Sequence, residues 1–167
     1  MGSRRGQVWS VDFAAGLVLL AFLLLMFIIV WNNLAARWNI SNSYRQMETD
    51  ALFVSEALIA TSGEPGGWEM LANLNETQAI GLSGGRNEIS AAKMERLVAG
   101  NASSYDFIRA RLGVQRYDLG IRVTNLGRNE TFYEFGKFAP GLRPSVIYER
   151  MGLLNGSPVI LHTEVWR

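Results

Sequence analysis

Phe13–Trp31 reads FAAGLVLLAFLLLMFIIVW, nineteen residues with no charge and no strongly polar side chain. A helix of that length spans roughly 28 Å at about 1.5 Å per residue, close to the hydrocarbon thickness of a bilayer. A core helix of a small domain keeps a polar face, and this segment has none. It reads as a transmembrane helix. A discarded secretory signal would have a shorter apolar region and a small-x-small cleavage site after it. Here Trp31-Asn32-Asn33 follows instead, an interfacial aromatic and then polar groups. The segment reads as a retained anchor.

Outward from the span, the two flanks differ. Arg4 and Arg5 precede it closely, whereas the first basic residue after it is Arg37. The positive-inside rule then places the N-terminus in the cytoplasm and the rest outside. Five of the eleven asparagines open an N-x-[ST] sequon: Asn39, Asn75, Asn101, Asn129 and Asn155. Ordinary Ser/Thr usage would give about one or two by chance. All five follow the span, so sequons and basic residues agree on the outer side. Asn155 is the weakest, because Pro158 follows its serine.

The 167 residues leave room for an anchor and one compact domain. Without cysteine that domain must rest on its apolar core, which suits a prokaryotic exterior. Beyond residue 31 fourteen Lys/Arg face fourteen Asp/Glu, so no basic patch for nucleic acid stands out.

Past the membrane an apolar seam continues through Leu34, Trp38 and Ser41 to Tyr44, Met47, Ala51, Val54 and Leu58. The last five are three or four residues apart, the spacing of a helix packed along one stripe. Gly63 and Pro65 supply a stop. One helix from about Val8 to Thr61 would be roughly 80 Å long, half in lipid and half a stalk. From Trp68 onward the pattern changes. Short helices are expected near 89–99 and 104–112, each closed by a glycine, Gly100 and Gly113. Tyr117–Thr124 alternates as a half-buried strand, with Thr131–Phe135 as its partner. Val146–Leu154 and Pro158–Trp166 flank Asn155-Gly156, the preferred pair of a type I′ hairpin. The expected fold is α+β: a long N-terminal helix over 7–62, then a head over 63–167. The head would carry a four-stranded antiparallel sheet, with the stalk helix against its apolar face.

Chemistry-bearing residues are sparse. His162 is the one histidine, on an alternating strand, where such a residue is usually structural; metal and acid–base sites need convergent partners. The carboxylates are scattered, and Gly81-Leu-Ser-Gly-Gly lacks the Lys-Ser/Thr of a phosphate loop. No catalytic residue, metal ligand or cofactor is expected.

The start of the chain, Arg4-Arg5-Gly6-Gln7-Val-Trp-Ser10-Val-Asp12-Phe13, runs straight into the apolar helix. Here it resembles archaeal type IV pilin-like proteins with class III signal peptides, which have a basic leader ending in Gly, Gln at the cut, a Ser, and an acid before the helix. Asp12 falls sixth after the cut, where the family's usual acid is fifth. The resemblance covers about residues 4–31 in motif and the rest in architecture. It implies a leader over 1–6, cut by a membrane peptidase between Gly6 and Gln7. It further implies a structural subunit of a surface filament, joined through its helix to like copies or other pilins with the help of assembly machinery. The alternative is a monomeric anchored binding or adhesion module. Asp12 has two readings: a counter-charge for a neighbour's free α-amine on Gln7, or a first-turn acid in a helix capped by Ser10. Gly16 could admit a close helix neighbour, though lone glycines are common in membrane helices.

Overall fold

The computed structural model describes residues 4–128 and 130–167, with side chains from Val11 onward except at 36, 39 and 40. In chain order the elements are α1 (Arg4–Ala60), two 3-10 turns (Trp68–Met70 and Leu74–Glu76), β1 (Ser83–Gly85) and β2 (Glu88–Ile89). Then come α2 (Ala91–Ala99), α3 (Asn101–Arg111), β3 (Asp118–Asn125), β4 (Thr131–Gly136), β5 (Ser145–Leu154) and β6 (Ser157–Trp166). The fold is α+β, a long apolar N-terminal helix and then a mixed sheet with short helices. It groups into two compact units, 1–43 and 44–167, so the last turns of α1 count with the head.

In the first unit α1 contains 25 residues, Val11–Ala35, with mean hydropathy 3.1 and none of its surface buried. That stretch is long and apolar enough to cross a membrane.

The second unit shows why α1 carries its seam further. Met47, Ala51, Val54 and Leu58 are buried in one cluster with Leu119, Ile121, Val123, Val159, Leu161 and Val165 from the sheet. Tyr44, expected on the same stripe, is exposed. The helix ends at Ala60, and Gly63, three residues on, takes a left-handed φ of +80°. A Cβ there would sit 2.6 Å from Trp68 Cδ1, so close approach to the indole as well as φ demands glycine. Trp68 is fully buried and donates its indole N–H to the Gly81 carbonyl at 2.9 Å.

The sheet order is β1-β2-β5-β6-β3-β4, and β6 occupies its interior. β5 and β6 pair antiparallel in ten register positions across Asn155-Gly156, whose φ values of +50° and +79° are those of a type I′ turn. β3 pairs antiparallel with β6 and with β4, through a turn held by the Asn125 side chain, which accepts from the N–H groups of Gly127 and Arg128. The four long strands are therefore those the alternation predicts. Two differences stand beside them. β1 and β2 add a short hairpin at the β5 edge, and β2 runs parallel to β5 (Glu88 opposite Leu153), so the sheet is mixed. Gly100 closes α2 in a right-handed conformation and leads at once into α3, which begins three residues earlier than expected. Gly113, by contrast, is left-handed at φ +82° and stops α3 as expected.

Candidate functional site

The most conspicuous chemical surface is α1 itself. Phe13 is 73% and Leu24 53% exposed, and the other large side chains of Val11–Ala35 are open to a similar degree. Soluble monomers rarely expose a contiguous run of large apolar side chains like this one, which is the character of a lipid- or protein-covered face. Phe27 and Trp31 stack at 6.0 Å near its far end. Asn33 satisfies its own amide by donating to the Ile29 carbonyl at 2.8 Å, which lowers the cost of burying it. An open notch lined by Trp31, Leu34, Ala35 and Trp38 continues the apolar surface beyond the span. A Cβ on Gly16 would meet nothing within 4 Å, so the helix is notched but unobstructed there.

Asp12 needs a correction. α1 starts at Arg4 and has no acid in its first turn, so Asp12 lies two turns inside the helix and is exposed. Ser10 is likewise interior to the helix and not its cap. Arg4 and Arg5, both good helix formers, lie inside α1, so the helix runs past the position a sequence cap would choose. A dipole effect fades beyond the first turn, so the first-turn reading of Asp12 fails. Gly6 and Gln7 fall within α1, although their side chains, like that of Ser10, lie outside those described. Met1 to Ser3, the start of the expected leader, lie outside the described residues.

The sequons occupy distinct settings. Asn155 is exposed at the hairpin tip, with Ser157 exposed beside it. Asn75 is exposed on the second 3-10 turn, but Thr77, third in its sequon, is fully buried. Asn101 opens α3, and its side-chain carbonyl accepts from the Gly136 N–H at 2.9 Å, tying α3 to the end of β4. The side chain of Asn39 and the whole of Asn129 lie outside the described residues. Among the described residues, Asn75, Asn101 and Asn155 belong to three separate parts of the head.

His162 sits on β6 between two neighbours. Its Nδ1 is 3.1 Å from Glu149 Oε1 on β5, and its Nε2 is 2.8 Å from Thr124 Oγ1 on β3. A carboxylate, an imidazole and a hydroxyl in that order can relay a proton. Thr124, however, is only 4% exposed, so its hydroxyl is not presented to a substrate, and the contacts serve to tie three strands. Among the described residues, no three His, Cys, Asp or Glu side chains converge as metal ligands.

One cluster escapes sequence reading. Tyr105 on α3 donates its hydroxyl to Asp118 at 2.9 Å and accepts from the Leu119 N–H at 2.9 Å. Arg109 and Lys137 lie 3.5 and 3.8 Å from Asp118, and both cations pack on the Tyr105 ring. Burial pushes the Tyr105 hydroxyl up to about 12, and the Asp118 carboxylate adds to that shift. An open depression of about 530 Å³, lined by Asn101, Tyr105, Asp106 and Lys137 among others, lies alongside. The residues come from separate elements, so no spacing in the sequence announces them. Lys93 is also buried, its ammonium donating to the carbonyls of Ser62 and Ser83 at 2.7 and 3.0 Å. That lysine fastens the exit of α1 to the start of β1.

Comparison with family models, curated proteins and solved structures finds no match for this chain in any of the three.

Proposed function

We propose that this chain is a structural subunit of an extracellular type IV pilus-like filament of the archaeal kind. The observation that carries the reading is the uncovered apolar surface of Val11–Ala35, directly after Arg4-Arg5-Gly6-Gln7, in a chain that also holds a folded head. Each large apolar side chain left in water forgoes about 1.5–3 kcal/mol of burial, so this helix must be covered. Before assembly the cover is membrane lipid, in a single pass with the head outside. After leader cleavage between Gly6 and Gln7 it is the same helix of neighbouring subunits. Asp12 then serves as counter-charge to the new α-amine, since either charge is costly alone in an apolar bundle and tolerable in a pair. The exposed sequons fit a glycosylated outer surface. Neither catalysis nor a cofactor enters this function.

A monomeric anchored binding or adhesion module is the second reading, favoured by the depression beside Asn101 and Tyr105. Shearing native cells separates the two. A filament subunit is released into fibres that mass spectrometry identifies as this chain with Gln7 at its N-terminus, and Asp12→Asn lowers fibre yield without blocking the cut. A chain that stays with the membranes and begins at Met1 or Gly2 overturns the filament reading.

A further inference from the structure

The sequon at Asn75 is built so that the folded head conceals half of it. A recogniser of N-x-[ST] must read what Ser and Thr share and Val lacks, which is the hydroxyl at the third position. At four sequons that residue is exposed: Ser41, Ser103, Thr131 and Ser157. At the fifth, Thr77 is 0% exposed and its Oγ1 is buried without a hydrogen-bond partner. The 3-10 turn Leu74–Glu76 produces this. The Asn73 side chain accepts from the Asn75 N–H at 3.0 Å, the Thr77 N–H donates to the Leu74 carbonyl at 3.0 Å, and Leu74 and Thr77 both turn inward. The Asn75 side chain is left outside.

Resting on the proposed glycosylation, we infer that Asn75 is modified before the head folds, whereas Asn155, exposed together with Ser157 at the hairpin tip, remains open to modification afterwards. A transferase can reach the Thr77 hydroxyl only when the segment is open, and a stable domain exposes its core in a small fraction of molecules. The hydroxyl contributes nothing to the folded state, where an unpaired buried polar group is a cost that valine would avoid. Thr163 is a second buried threonine without a partner, so an orphan hydroxyl is not in itself a signal. Its place as third residue of a sequon gives Thr77 its meaning. The finished glycan then stands on a turn whose underside is closed, and it cannot be replaced once lost.

The test uses the full chain made without glycosylation and purified in detergent. Folded and urea-unfolded samples, the latter diluted at the moment of reaction, meet an oligosaccharyltransferase with its lipid-linked glycan, and peptide mass spectrometry reads occupancy site by site. Asn75 occupancy is expected to be at least about tenfold lower on the folded chain. Equal occupancy overturns the order of events while leaving the sequon reading intact. An unfolded chain that is never modified at Asn75, matched by bare Asn75 in native protein, overturns the sequon reading itself. Thr77→Val should abolish Asn75 occupancy on the unfolded chain while the head still folds. Persistence of the glycan in that variant overturns the role given to the hydroxyl.

Discussion

Asn101 shows how one residue can answer to two demands. It belongs to a sequon, and it holds the Gly136 N–H at the start of α3. The two roles separate cleanly by mutation. Ser103→Ala removes the sequon and leaves the bond, so head stability in urea should change by less than about 0.5 kcal/mol. Asn101→Ala removes both and strands the Gly136 N–H, and should cost about 1–3 kcal/mol. Equal losses in the two variants would show that the hydrogen bond contributes nothing. Tyr105 gives a pH prediction whose sign follows from its burial. The folded head holds the phenol proton up to about pH 12, against 10 in the unfolded chain. Rising pH therefore leaves stability untouched below 10 and erodes it between 10 and 12. Tyr105→Phe should weaken the head at neutral pH, through the lost bonds to Asp118 and Leu119, yet flatten that alkaline decline. Denaturation curves from pH 8 to 12 check both.

At the scale of elements, proline separates a continuous α1 from two shorter helices. Val54 is fully buried in the middle of the head's share of the helix, and Val54→Pro should cost about 3 kcal/mol or more. Glu48→Ala, on an exposed position, should shift the same urea midpoint little. The long elements were legible because their periodicities are long. The stripe Met47-Ala51-Val54-Leu58 and the alternation of β3 and β6 each repeat often enough to specify a face. Asn155-Gly156 announced its hairpin through the positive φ that only a few residues tolerate. β1 and β2 were not legible, since Ser83-Gly84-Gly85 and Glu88-Ile89 are too short to alternate and are placed by pairing with each other and, through β2, with β5. α3 began early because Asn101 finds a partner in β4, a tertiary contact that local capping rules cannot see. Of the candidate sites, the apolar span could be read directly. The burial of Thr77 and the cluster around Asp118 depend on which distant segments meet.

For the whole molecule, the grouping into 1–43 and 44–167 separates two kinds of stability. Among the described residues, the buried cluster begins at Met47 and lies within the second unit. Residues 44–167 produced alone should therefore fold cooperatively as a water-soluble head, with the urea midpoint of the full chain in detergent. They should also fail to enter filaments when co-expressed with the intact protein. A fragment that precipitates or lacks a cooperative transition would show that the first unit is required for folding. The sheet order has a further consequence, in time. β6 lies between β5 and β3, so the central strand is the last of the six to be synthesised. Until it is made, β3 and β5 have no common partner and the sheet cannot close. At about 5–20 residues per second, the stretch between Asn75 and β6 takes roughly 5–20 s to appear. Chain polarity thus sets a clock, during which the segment that the finished head will seal is still in the open.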